Sequence, residues 1–178
     1  MVYLIGGSSH VGKTYLSQKL MEKYGIPYFS LDHLKMGLIR SGFTELTTEQ
    51  DGAMRTYMWP VVREMIKTVV ENRQNLIVEG CYIPGDWAES FTDEYLTNIR
   101  AVFIVMSEAY IRSHREDIVQ YGDVIEKRMF ESVNIDRLVS CSAMFKEWAL
   151  ENESPCLEID EAYSEEKIFA ELCAKLGL

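Results

Sequence analysis

The sequence predicts an α/β fold in which a parallel sheet is covered by helices. Short apolar runs of strand length alternate along the chain with segments of helical periodicity, the order that builds crossover units rather than hairpins. The first such unit carries Gly7-Ser8-Ser9-His10-Val11-Gly12-Lys13-Thr14 between its strand and its helix. That segment matches the phosphate-binding loop pattern G-x-x-x-x-G-K-[ST], in the strand–loop–helix setting the pattern requires.

The elements follow in order. Val2-Tyr3-Leu4-Ile5 is an apolar run that predicts a buried first strand, and residues 13–24 then read as an amphipathic helix stopped by Gly25, with Pro27 just beyond. Tyr28-Phe29-Ser30-Leu31 predicts the second strand, and residues 33–40 a short helix closed by Ser41-Gly42. Thr47-Thr48-Glu49-Gln50 marks a helix start. Met54, Met58, Val61, Met65 and Val69 then recur at helical spacing up to Asn72, with Pro60 expected to kink or divide that helix. Leu76-Ile77-Val78, ending at Glu79-Gly80, is the third strand and residues 101–105 are the fourth. Helices are expected over 108–121 and 135–152, on either side of a charged stretch. Cys156-Leu157-Glu158-Ile159 predicts the fifth strand, and residues 165–176 the closing helix.

The loop residues suit one chemistry. Backbone N–H groups of residues 7–14 turn inward onto phosphate oxygens, glycine permits the tight path, and the helix N-terminus adds its positive dipole end. Lys13 is placed to reach the β- and γ-phosphates, and Thr14 to set its hydroxyl on Mg²⁺. His10 stands where kinase-like loops often carry a third glycine. Histidine is among the side chains enriched at positive φ, so His10 reads equally as a loop residue and as a nucleotide contact.

At 178 residues the chain is expected to form a single domain with a sizeable core. Its 47% apolar and 26% charged residues are those of a globular protein. A net charge of −10 argues against broad nucleic-acid or anionic-membrane binding. No apolar run reaches membrane-span length, and the N-terminus enters the first strand without the basic region of a signal peptide. Cys81, Cys141, Cys156 and Cys173 form no C-x-x-C pair and read as reduced thiols of a cytoplasmic protein. The histidines and cysteines lack metal-ligand spacing, and no serine nucleophile elbow occurs.

With these elements placed, the chain resembles the small P-loop kinases: adenylate, shikimate and gluconate kinases and their zeta-toxin-like relatives. The resemblance is specific at residues 7–14 and looser at Asp32, at Glu79-Gly80 and at the fifth strand with Asp160. It implies a three-layer P-loop NTPase sandwich with a five-stranded parallel sheet in the order 2-3-1-4-5. It also implies a substrate-binding segment over about residues 32–73 and a helical lid over about 112–137. In shikimate-kinase-like enzymes an Asp after the second strand orients or deprotonates the acceptor hydroxyl, and Asp32 stands there, at the carboxyl end where ligands of open parallel sheets gather. Asp also suits a helix N-cap. The family often has D-x-x-R at this point, whereas this chain has Lys35, a point charge rather than a bidentate fork. Glu79 resembles the carboxylate that holds Mg²⁺ through water or contacts the acceptor. Cys81-Tyr82-Ile83-Pro84 departs from the phenylalanine–proline–arginine sequence of adenylate kinases, which counts against an ordinary nucleoside-monophosphate kinase.

The basic residues complete the expected site. Lys35, Arg40 and Arg55 are candidates for an anionic substrate. Arg55, Trp59 and Arg63 recur four apart, so they share a helix face. In the lid, Arg112 and Arg115 rank ahead of Lys127 and Arg128 as the charges that close over the transferring phosphoryl group. The expected protein is therefore an ATP- and Mg²⁺-dependent kinase, monomer or homodimer. Lys13, Asp32, Arg112 and Arg115 are its catalytic candidates, and its acceptor is a small anionic metabolite. Rival readings are a nucleoside or nucleotide kinase, a toxin-like kinase acting on a sugar nucleotide, and a nucleotide-binding regulator with slow hydrolysis. Against a GTPase switch stands the lack of an N-K-x-D motif.

Overall fold

The computed structural model describes residues 1–121 and 133–178. Five strands, β1 (Val2–Gly7), β2 (Tyr28–Ser30), β3 (Leu76–Glu79), β4 (Ile99–Met106) and β5 (Cys156–Ile159), form one sheet in the order β2-β3-β1-β4-β5. Every pairing is parallel. The helices are α1 (Lys13–Tyr24), α2 (Leu31–Arg40), α3 (Asp51–Glu71), α4 (Asp93–Leu96), α5 (Glu108–Ser113), α6 (Arg115–Tyr121), α7 (Ile135–Glu151) and α8 (Glu165–Leu176).

Side-chain alternation along the strands divides the core into two layers. Tyr3 and Ile5 of β1 and Val102 and Ile104 of β4 face one side, where they pack with Leu16 and Leu20 of α1 and Ile168 and Leu172 of α8. Val2 and Leu4, with Ala101, Phe103 and Val105, face the other side and meet Met54, Met58, Val62 and Ile66 of α3 and Phe145 of α7. The period of two on a sheet covered on both faces accounts for the near-continuous apolar runs. The expected five-stranded sandwich and its strand order are as found. No helix among the described residues is long and apolar enough to cross a membrane.

Local departures from the sequence reading have physical causes. β1 continues through Gly6 and Gly7 because they pair with Phe103 and Ile104. Gly7 sits at φ 122°, and a Cβ there would lie 1.9 Å from the Ile104 carbonyl oxygen, so the strand can leave the sheet at this point only as glycine. Leu31 opens α2 instead of closing β2. Pro60 does not divide α3. The carbonyl it cannot serve is that of Thr56, on the exposed side of the helix, where water meets it.

The helix expected over 108–121 breaks at His114, whose φ/ψ of −111°/26° end α5. Ser113 Oγ donates back to the Ala109 carbonyl at 2.8 Å, and the His114 ring stacks on Tyr110. Such back-bonding competes with helix propagation. The 3₁₀ turn at Trp87–Ser90 and the short α4 were not anticipated.

Candidate functional site

The phosphate loop leaves β1 at Gly7 and enters α1 at Lys13. His10 takes φ 64°, the left-handed conformation its position called for, and Gly12 takes φ 84° as the N-cap of α1. No side chain caps that helix, so the N–H groups of its first turn face the loop mouth, as an anion cradle requires. Lys13 is 7% exposed. Its Nζ donates to the Ser8 carbonyl at 2.6 Å and to Cys81 Sγ at 3.3 Å.

Thr14 Oγ1 donates to Glu79 Oε1 at 3.2 Å. The register aligns Glu79 with Ile5 on one side and Ser30 on the other, which fixes a fully buried carboxylate at the carboxyl edge of the sheet. The hydroxyl and carboxylate are hard oxygen donors. They fit Mg²⁺, which takes one or two protein oxygens and completes its shell with water and phosphate. Among the described residues no group of three or more His, Cys, Asp or Glu side chains is arranged to hold a metal ion alone.

The electrostatics favour a charged lysine. Burial works against its charge, but Cys81, Glu79 and Asp32 outweigh it and Lys13 ends above its ordinary value. Burial pushes the Cys81 thiol up to about 11, although Lys13 pulls against the shift. Cys81 therefore meets Lys13 as a neutral thiol, and the counter-charges are the two carboxylates.

Beside this centre lies a chain of polar side chains. Asp32 sits in the first turn of α2, within 3.2 Å of Lys35 Nζ. The N-cap is Ser30, so Asp32 is not the cap that its residue type suits; its charge instead faces the positive end of the helix. Lys35 donates to the Tyr82 hydroxyl at 2.6 Å, and that hydroxyl donates to Asp51 Oδ1 at 2.9 Å. Arg137 Nη2 donates to Asp51 Oδ2 at 2.8 Å. Tyr82 is 3% exposed. Burial first, then Asp32 and Asp51, hold its phenol far above the usual range, so it stays protonated.

Arg55 donates from Nε and Nη2 to the Cys81 carbonyl at 3.3 and 3.0 Å and lies over the Trp148 and Phe145 rings. It braces the loop after β3. Burial lowers its pKa from the usual arginine value.

A second brace holds the phosphate loop. Ser142 of α7, almost fully buried, bonds Ser8 Oγ at 3.2 Å, accepts from Met106 N at 2.8 Å and donates to Met106 O at 2.7 Å. β1 has ended by this level of β4, so the Ser142 hydroxyl serves the backbone groups a strand partner would have taken.

The structure thus brings Lys13, Thr14, Asp32, Lys35, Arg55 and Glu79 to one edge of the sheet. It does not bring Arg40 there: Arg40 is exposed at the far end of α2, about 12 Å along the axis from Asp32. The shared face of Arg55, Trp59 and Arg63 separates. Trp59 is core and donates to Ser90 Oγ, while Arg63 pairs with Glu64. Arg112 is engaged by Glu108 at 2.7 Å and Asp136 at 3.1 Å on the surface, and Arg115 is exposed. Lys127 and Arg128, with the rest of residues 122–132 of the expected lid, lie outside the described residues.

Sequence reasoning missed Asp51 and Ser142 as site components, and weighed Arg137 only as a substitute lid charge beside Lys127 and Arg128. It also missed Tyr163, in the loop after β5, whose hydroxyl would lie 2.5 Å from a Cβ placed on Gly12. Although the residue is 40% exposed overall, desolvation first, then Tyr15 and Tyr110, push that phenol up to about 12. Tyr163 therefore stands over the start of α1.

No protein-family model matches the chain, and no curated protein matches it. Solved structures do. It is similar to deoxyadenosine kinase from M. mycoides, at TM-score 0.61 and 14% identity over 99% of each chain. It is similar to a sugar kinase from Janibacter, at TM-score 0.60 and 12% identity over 99% of this chain and 94% of the other. It is similar to shikimate kinase from Acinetobacter baumannii, at TM-score 0.57 and 16% identity over 99% and 93%. Likeness across the whole chain at such identities is likeness of fold, and the chain has the fold of the small P-loop kinases.

Proposed function

We propose that this protein is an ATP-dependent phosphotransferase that moves the γ-phosphoryl group to a small anionic metabolite bearing a hydroxyl or phosphate. One observation carries the reading. A buried Lys13 lies across the phosphate loop and donates to the Ser8 carbonyl, beside a Thr14–Glu79 pair suited to Mg²⁺.

In this reading the chain is one kinase domain, with an acceptor segment over about 32–73 and a lid over about 112–137. The loop amides, Lys13 and the first turn of α1 hold the phosphates of ATP. Thr14 and Glu79 would hold Mg²⁺, and a bound nucleotide would supply the phosphoryl group. Lys35 sets the orientation of Asp32 through their ion pair. Asp32 then orients the acceptor hydroxyl and takes its proton. Phosphoryl transfer asks little covalent chemistry of a protein, so positioning and charge account for most of the catalysis.

A screen of ADP release across sugar acids, hydroxy acids, nucleosides and nucleotides tests the reading. With an accepted substrate, Asp32→Asn should retain nucleotide affinity and lose most of the transfer. Normal transfer by that variant refutes the assignment of Asp32. A nucleoside or nucleotide as the preferred substrate favours the rival kinase class.

A further inference from the structure

The polar chain between α2 and α7 ends in an arrangement that the transfer chemistry does not need. Both oxygens of Asp51 are held by donors from other parts of the fold, one by Tyr82 in the loop after β3 and one by Arg137 in the first turn of α7. A third donor, Lys35, reaches the same phenol. Through Lys35 and Tyr82 these groups adjoin Asp32. Such a convergence of Arg and Tyr, with Lys35 behind the phenol, is how a protein binds a carboxylate or phosphate on another molecule. Here the anion is the protein's own.

We propose that Asp51 is a built-in occupant of the acceptor's anion subsite: its carboxylate holds the donors of Arg137 and Tyr82 until the acceptor's own anionic group displaces it. The proposal rests on the phosphotransfer reading of this site. It makes Asp51 a specificity-determining residue. An acceptor without an anion cannot release Arg137, whereas one bearing a carboxylate or phosphate exchanges one anion for another at little net electrostatic cost.

The local structure permits the exchange. The Asp51 and Arg137 side chains are 41% and 56% exposed, and an ion pair of that exposure is weak. Asp51 is the first residue of α3, whose N-cap Gln50 makes no side-chain cap, and Gly52 follows it. An uncapped first turn containing glycine unwinds easily. One turn further on, Arg55 is fixed by the Cys81 carbonyl and by the Trp148 and Phe145 rings. Asp51 can therefore swing out while the rest of α3 stays seated. Tyr82, nearly fully buried, remains a fixed donor for whichever anion is present.

The test is an anion titration by calorimetry on the full chain, in wild type, Asp51→Asn, and Asp51→Asn combined with Arg137→Ala. Inorganic phosphate and acetate are used as separate probes. Each titration is run with and without a non-hydrolysable ATP analogue and Mg²⁺, so that the phosphate loop's own anion binding is equal across the set. Asp51→Asn is expected to bind at least one probe about fivefold more tightly than wild type, on the scale of an exposed ion pair, and the added Arg137→Ala should abolish that gain. A gain with phosphate alone assigns the subsite to phosphorylated acceptors, and a gain with acetate to carboxylates. Unchanged affinity in Asp51→Asn, or a gain that survives loss of Arg137, overturns the proposal. Thermal melts check that each variant is folded. Failure of the ATP analogue to bind counts against the kinase reading instead, and the comparison of phosphate and acetate affinities stands without it.

Discussion

Replacing Ser142 with alanine should weaken the fold and the phosphate loop together. The hydroxyl satisfies both backbone groups of Met106, at 2.8 and 2.7 Å, and touches Ser8 Oγ at 3.2 Å. Alanine leaves the N–H and the C=O of Met106 facing a methyl group in a site that is 2% exposed. An unmet buried donor or acceptor costs about 1–3 kcal/mol. Met106 presents one of each, and partial relaxation trims the sum to about 2–4 kcal/mol. For a domain of this size each kcal/mol moves the melting temperature by about 2–4 °C, so the drop should be about 4–16 °C. The assay is urea and thermal unfolding beside Ser140→Ala, a nearby change on the same helix. Ser140 is exposed and donates to the Asp136 carbonyl one turn back, so its loss should stay within about 0.5 kcal/mol. Nucleotide affinity should fall in Ser142→Ala as well, because Ser8 loses its tie to α7. A Ser142→Ala protein that melts within about 1 °C of wild type would refute the reasoning.

Other outcomes follow from the same geometry. Lys13→Ala should leave the protein folded and reduce transfer by about 10²-fold or more, measured by calorimetric ATP binding and turnover; unchanged values for both would remove the kinase assignment. If Arg112 and Arg115 close over the phosphoryl group, alanine at either should lower kcat strongly, on the order of 10³-fold, with little change in ATP binding. Losses under about threefold at both would leave Arg112 as the surface partner of Glu108 and Asp136. Cys81 ionises near 11 in the folded protein, against 9.0 when unperturbed. The unfolded chain therefore releases that proton first as pH rises, and stability should fall between about pH 9 and 11. Cys81→Ala should flatten that part of the curve in urea titrations.

The phosphate loop was legible because its residues are contiguous and each has a backbone or side-chain task at a fixed offset. α1 was legible at its end because Gly25 takes a left-handed conformation where the apolar period stops. The extra residues of β1 and β4 were not, because pairing rather than hydrophobicity makes Gly6 and Gly7 strand. The proposed acceptor side was half legible. Asp32 and Lys35 follow a strand directly, but Asp51 and Arg137 are 86 residues apart, and no local pattern joins them. Arg40 misled because a basic residue in the last turn of a helix serves the helix dipole as readily as a ligand. Arg112 carried its own warning in Glu108, four residues earlier, a spacing that already pairs them on one helix face.

The central position of β1 has a consequence for how the chain is born. β1 is made first, yet its neighbours on either side are β3, from Leu76, and β4, from Ile99 to Met106. At about 5–20 residues per second of synthesis, the first strand waits roughly 5–20 s before both flanks exist. For most of that interval Val2–Ile5 is an apolar segment of high β propensity without either strand neighbour, with only β2 and the helices α1 to α3 made. Parallel pairings across such separations are also slow to form once the partners are available. Aggregation during expression should therefore respond more to changes in Val2–Ile5, or to elongation rate before residue 106, than to equally destabilising changes in β5, which arrives when the centre of the sheet already has its partners.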